Sequence, residues 1–196
     1  MKKTRKDGDA LKQARDVLKI EAESILGLIP KLDENFPKAV DTIYGAKGRV
    51  IVSGIGKSGL IGRKIVATLT STGTPAIFLH PVEGMHGDLG IVMKGDVLIA
   101  LSNSGETAEL NELLARIGPI GLPIIALTGN PKSTLANLSD IVIDVGVDRE
   151  AGPFGLAPTS STTAALAMGD ALAVALTDRR NFGEKDFLKF HPGGTL

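Results

Sequence analysis

The residues that offer chemistry begin at Arg49–Lys64, RVIVSGIGKSGLIGRK. A short apolar run, Val50–Val52, leads into glycines at 54, 56 and 59, and an apolar-periodic helix follows. A strand, a glycine turn and a helix N-terminus make an anion site. The first-turn N–H groups lack intrahelical acceptors, and the helix dipole favours negative charge. Gly54, Gly56 and Gly59 also spell the dinucleotide pattern G-x-G-x-x-G. That reading wants a carboxylate at the end of the next strand. Here the strand ends in His80, and Glu83 is the nearest acid. The P-loop reading fails at Ile51, where its first glycine belongs. Lys57, Ser53 and Ser58, beside the amides at Gly56, suit a small phosphate monoester better. The bland alternative is a turn whose glycines serve geometry alone. Two further hydroxyl-rich loops weigh against it.

The second such loop is Ser102-Asn103-Ser104-Gly105-Glu106-Thr107. A capping box, with Asn103 as N-cap and Glu106 reaching back, would explain two of these residues. Ser102, Ser104 and Thr107 remain, and three hydroxyls around free helix amides make a phosphate clamp. Glu109, one turn on, could face the same cleft. The third group is Thr159-Ser160-Ser161-Thr162-Thr163, at the start of a helix rich in small residues. Glu150 stands just past a strand end, where catalytic groups gather in α/β folds. His86 lies in the loop His80–Gly90 and is a candidate either for catalysis or for structure. His191 precedes Pro-Gly-Gly, which suggests a fixed turn near the surface or near another subunit. Asp170 reads as a buried, hydrogen-bonded structural group. The three histidines are scattered, with no H-x-H or H-E-x-x-H spacing, so no metal site is expected.

Elements must hold these loops together. Apolar runs at Val50–Val52, Ala76–His80, Asp96–Ser102, Ile124–Gly129 and Asp140–Gly146 read as strands. Helical stretches at Leu60–Thr72, Glu106–Ile117, Ser133–Leu138 and Ala164–Leu176 alternate with them, while Pro81–Gly95 reads mainly as loop. Such alternation argues an α/β fold, a five-stranded parallel sheet covered on both faces by helices. Ligands then sit beyond the carboxyl ends of the strands. Two amphipathic helices, Asp9–Leu28 and Phe36–Tyr44, precede the sheet and carry no chemistry. The chain has 196 residues, 43% hydrophobic, with 22 basic and 22 acidic side chains and no cysteine. That supports one domain and gives no general pull towards nucleic acid or a membrane surface. It also leaves no disulfide or thiolate chemistry. No apolar run is long enough to span a bilayer, and Met1–Lys6 reads as a basic, solvated tail without an h-region. The default location is the cytoplasm.

The segments SGIGKSGLIGRK, STGTPAIFLHP, HGDLG, SNSGETAEL, GLAPTSSTTA, MGDALAVAL and FHPGG, in this order, closely resemble the sugar-isomerase (SIS) domain of arabinose-5-phosphate isomerases. The resemblance runs from about Arg49 to Gly194. It implies a three-layer, flavodoxin-like sandwich, a single SIS domain over 1–196 with N-terminal helices at 9–45. Many family members continue into tandem CBS modules, and none is expected here. The resemblance further implies an intramolecular oxidoreductase, an aldose-ketose isomerase interconverting D-arabinose 5-phosphate and D-ribulose 5-phosphate. That reaction begins Kdo synthesis for lipopolysaccharide. It also implies a homotetramer whose sites are completed by neighbouring subunits. Lys57, Glu109, Glu150 and His191 match the family's four proposed functional positions.

An aldose-ketose isomerase opens the sugar ring and moves a proton between C1 and C2 through an enediolate. A carboxylate with its pKa kept near working pH suits the C–H step, and of the four positions Glu150 is assigned that role, with His86 in reserve. Lys57 would stabilise the enediolate or hold the phosphate. His191 fits ring opening or proton shuttling, and Glu109 would orient Lys57 or His191. Ser53, Gly56, Ser58, Ser102, Asn103, Ser104 and Thr107 would grip the phosphate, with Ser160, Ser161 and Thr162 nearby. No step needs a metal or a nicotinamide, so no cofactor is expected. Two rivals remain: a 6-phospho-3-hexuloisomerase, and a sugar-phosphate-sensing domain that binds without reacting.

Overall fold

The computed structural model describes residues 7–152 and 154–193. The Met1–Lys6 tail, Pro153 and the last glycine of the terminal motif lie outside them. Five strands form one parallel sheet in the order β2-β1-β3-β4-β5. They are β1 (Val50–Gly54), β2 (Ala76–Leu79), β3 (Val97–Ser102), β4 (Ile124–Thr128) and β5 (Ile141–Asp144). The three central strands are buried at every position, whereas the edge strands β2 and β5 are only partly so. This explains why the central strands read as unbroken apolar runs: both faces of a parallel sheet are covered.

Side chains alternate between the two faces. Val50, Val52, Ile99, Leu101, Ile125 and Leu127 face one core. There they meet α2 (Asn35–Gly45), α3 (Gly56–Ser71) and α7 (Ser160–Arg179) through Ile43, Ile65, Leu69, Met168 and Leu172. Ile51, Leu98, Ala100, Ile124 and Ala126 face the other core. There they meet α5 (Ala108–Ile117) and α6 (Thr134–Asn137) through Leu110, Leu113, Leu114 and Leu135. α1 (Asp7–Leu26) packs outside α7 and leaves Leu11 and Leu18 exposed.

α3 and α7 meet closely. A Cβ on Gly169 would lie 2.4 Å from Ile65 Cδ1, so only glycine admits this approach. Beside it Asp170 accepts from Lys64 Nζ at 2.7 Å and from Thr68 at 3.1 Å. Asp170 is therefore half-exposed and ion-paired, not buried as its place in the helix suggested.

Several boundaries differ from expectation for identifiable reasons. α3 begins at Gly56 and takes the glycine-lysine-serine stretch into its first turn. α7 begins at Ser160, so the hydroxyl group opens the helix instead of preceding it. Pro81–Gly95 is not mainly loop. Pro81 starts a short α4 (Pro81–Met85), where its fixed φ and missing N–H cost nothing. A 3-10 turn follows at Asp88–Ile91. Near the chain end a helix, α8 (Glu184–Phe190), precedes His191.

Candidate functional site

The sheet order reverses direction between β1 and β3, the switch point where ligands bind in doubly wound folds. Register brings the carboxyl ends level there, with Gly54 opposite Leu101 and Ser102 opposite Thr128. A cleft of ≈ 240 Å³ opens at that point. Lys57 and Ser58 line it from α3, Ser102 and Asn103 from the end of β3, and Ser161 and Thr162 from the start of α7. Its remaining walls are apolar, made by Ile55, Ile61, Leu101, Leu127, Val145, Pro158 and Ala165.

Each polar wall has a local cause. Ile55, the N-cap of α3, is extended and offers no side-chain cap, so first-turn amides are left for an external acceptor. Glycine lets this turn close onto β1: a Cβ on Gly59 would stand 2.7 Å from the Gly54 carbonyl oxygen. Gly56 opens the helix with φ +59°, in the left-handed region. Across the cleft, the Ser102 and Thr107 hydroxyls pair at 2.9 Å, and Gly105 N–H donates to Ser102 Oγ at 3.0 Å. Thr107 caps α5 by position but makes no side-chain cap bond. Gly129 N–H donates to the Asn103 carbonyl at 3.0 Å, tying this loop to the end of β4.

The capping box expected at Asn103 and Glu106 does not form. α5 starts two residues beyond Glu106, whose Oε1 accepts instead from Thr134 N–H at 3.0 Å. That backbone bond, aided by the Thr134 side chain, holds the exposed Glu106 carboxyl below its ordinary value. The glutamate thus serves α6, a helix distant in sequence.

Other candidates fall away from the cleft lining. Ser53 is fully buried and donates to the Leu79 carbonyl at 2.7 Å, so its hydroxyl is spent bridging β1 and β2. Ser160 is fully buried, and its Oγ has no hydrogen-bond partner among the described residues. Ser104 is exposed and accepts from Glu106 N–H at 3.2 Å. Glu109 is exposed in the first turn of α5, and His86 is exposed after α4; neither lines the cleft.

Glu150 stands immediately behind the cleft wall. Thr159 N–H and Thr159 Oγ1 donate to its Oε2 at 2.7 and 3.0 Å, and Ser161 N–H donates to the same oxygen at 3.3 Å. The Ser161 hydroxyl donates to Oε1. Burial alone pushes this carboxyl up. The bonds, led by that from the Ser161 hydroxyl, outweigh it and hold the group below its ordinary 4.5. The expectation of a carboxylate kept near working pH is therefore reversed: hydrogen bonds to the charged form favour it.

His191 is far from its own chain's cleft. Its ring stacks on Phe187 at 3.8 Å, and Nδ1 donates to the Phe187 carbonyl at 2.8 Å. Phe190, one residue before it, stacks on Phe182 at 5.7 Å. Phe182 in turn packs where a Cβ on Gly73 would be, at the carboxyl end of α3. The cleft lies at the other end of that helix, about 24 Å away at 1.5 Å per residue.

The apolar walls carry no polar signature in the sequence. The available signal was position, since Leu101 and Leu127 are the last apolar residues of adjacent central strands.

A family profile described as the SIS domain matches residues 42–175. The chain belongs to the SIS domain family. This SIS domain is 48% identical over 188 residues to the arabinose 5-phosphate isomerase KdsD of Pseudomonas aeruginosa, covering 96% of this chain and 58% of that protein. It is 50% identical over 188 residues to KdsD of Escherichia coli K12, covering 96% and 57%. The chain thus spans little more than half the length of these curated relatives. Among solved structures it superposes on the c3406 protein of E. coli CFT073 in complex with arabinose 5-phosphate, with a TM-score of 0.92 and 38% identity. That match covers 96% of this SIS domain and 100% of the other chain. No helix among the described residues is long and apolar enough to cross a membrane.

Proposed function

We propose that this SIS domain interconverts D-arabinose 5-phosphate and D-ribulose 5-phosphate. The observation that carries the reading is the switch-point cleft, where the uncapped end of α3 faces Ser102, whose hydroxyl is held from behind by Thr107, beside a Lys57 with no ion-pair partner among the described residues. The similarity to proteins named arabinose 5-phosphate isomerase supplies the substrate.

In this reading the phosphate rests on the first-turn amides of α3 with Ser58, Ser102, Asn103 and Thr107 around it. The opened sugar extends along the wall made by Ser161 and Thr162. The C2 proton is removed, the O2 hydroxyl proton passes to O1 as the carbonyl moves from C1 to C2 through an enediolate, and a proton returns at C1. The redox change is internal, so no oxidant or reductant is consumed. Lys57 neutralises the charge that develops on the enediolate oxygens.

The proton carrier is His191 of a neighbouring copy in a homotetramer. With Nδ1–H donated to Phe187, Nε2 is left as the acceptor a base needs, with no hydrogen-bond partner among the described residues. Glu109 and His86, both exposed, are available to a neighbour's site in the same way. The same reading puts the enzyme in the cytoplasm, at the first step towards Kdo and lipopolysaccharide.

The test is turnover by purified protein on a panel of arabinose 5-phosphate, hexulose 6-phosphates and unphosphorylated arabinose. Formation of ribulose 5-phosphate from the first alone is expected. Preference for a hexulose phosphate, or binding without turnover, would overturn the assignment.

A further inference from the structure

Between β5 and α7 the chain forms a loop that is closed at its base. Ala151 N–H donates to Thr159 Oγ1 at 2.8 Å, and the same hydroxyl donates to Glu150 Oε2. With the amides of Thr159 and Ser161 and the Ser161 hydroxyl added, Glu150 receives four bonds from the opening of α7. The loop it clasps carries Phe154 and Leu156, each 82% exposed. Pro158, Ser161 and Thr162, at or just beyond the clasp, line the cleft.

A carboxylate so engaged is poorly suited to take a proton from carbon. Its lone pairs are directed at fixed donors, and protonation would break bonds that hold a helix end. It is well suited to answer the free N–H groups of that end. α3, by contrast, has no side-chain cap. One of the two amide ends at the cleft therefore carries its own anion, and the other is open to an incoming one.

We infer that Glu150 is a positioning residue: as the resident anion of α7 it fixes Ser161 and Thr162 along the cleft and leaves the substrate's phosphate the end of α3. The inference rests on the isomerase reading for its kinetic consequences. It reassigns Glu150 from moving the proton to holding the wall against which the sugar lies.

The experiment compares E150Q, E150A and S161A with the parent protein. E150Q keeps one acceptor oxygen without the charge, and E150A removes the clasp. In steady-state kinetics on arabinose 5-phosphate, E150Q should raise KM about tenfold while kcat falls by about threefold or less. E150A should raise KM further, and S161A should resemble E150Q. A general base would give the opposite split, with kcat lost by about 10²–10⁴ and KM little changed. That result for E150Q would overturn the inference.

A second readout needs no turnover. Amide hydrogen exchange at Thr159 and Ser161 should accelerate about tenfold in E150A, with Lys57 and Ser58 unaffected. Unchanged exchange at Thr159 and Ser161 would also overturn the inference. A parent protein inactive on arabinose 5-phosphate would sink the isomerase reading alone, and the exchange result would still decide whether Glu150 is the clasp.

Discussion

Lys57 is exposed at the mouth of the cleft, and no ion pair ties it to a described residue. A cation held there for a developing oxyanion is worth about 10²–10³ in rate. K57A should therefore lower kcat/KM on arabinose 5-phosphate by about that factor without shifting the melting temperature, as steady-state kinetics and a thermal scan would show. Glu150 gives a prediction in pH. Its carboxyl is held below the ordinary 4.5, so its contribution to stability is complete above that value and is lost as pH falls through the lower, folded pKa. Urea midpoints measured across an acid series should drop more steeply below about pH 4.5 in the parent than in E150Q. At neutral pH E150A should cost about 1 kcal/mol, the usual worth of a helix cap. At this scale the sequence was informative about residue type and poor about partners. Ser53 and Ser58 look alike in a glycine-rich stretch, yet one points into the sheet and the other lines the cleft. What separates them is the element each falls on: Ser53 belongs to β1 and Ser58 to the first turn of α3, a boundary hidden inside the glycine-rich stretch. The donors to Glu150 lie nine and eleven residues downstream, beyond the reach of any helical or strand period.

At the scale of elements, the glycine turn between β1 and α3 decides whether α3 presents its uncapped amide end to the cleft. G59A would force a methyl group to within 2.7 Å of the Gly54 carbonyl oxygen, moving α3 off the strand. A loss of about 1–3 kcal/mol, the cost of overpacking, is expected in chemical denaturation, together with weaker binding of inorganic phosphate by titration calorimetry. The strands were readable because covering both faces of the sheet demands apolar residues throughout. Helix starts were not, because the residues that open α3 and α7 are glycine and hydroxyl types normally found outside helices. They are tolerated there because α3 packs on β1 and Glu150 caps α7. Glu106 shows the same limit: its capping pattern is correct in spacing, but the helix it serves is α6.

For the whole molecule, the decisive separation is between the cleft and His191, at opposite ends of α3. If neighbouring copies complete each other's sites, K57A and H191A should each be nearly inactive, and a mixture refolded or co-expressed should regain a fraction of parental turnover. Mixed assemblies would contain clefts with an intact lysine facing an intact histidine. Failure to recover activity, with mixed assembly shown by mass spectrometry, would rule out shared sites. No reading of one chain's periodicity could reveal that separation, because it depends on where α8 folds back. The seam where α3 crosses α7 has a mechanical consequence. Ile65 fills the notch at Gly169, and Lys64 grips Asp170 alongside it, so the two helices that frame the cleft behave as one beam. On the isomerase reading, breathing of the entrance is then expected in the connections above the sheet, and motion there, rather than any scissoring of the frame, is expected to set the pace of ligand exchange.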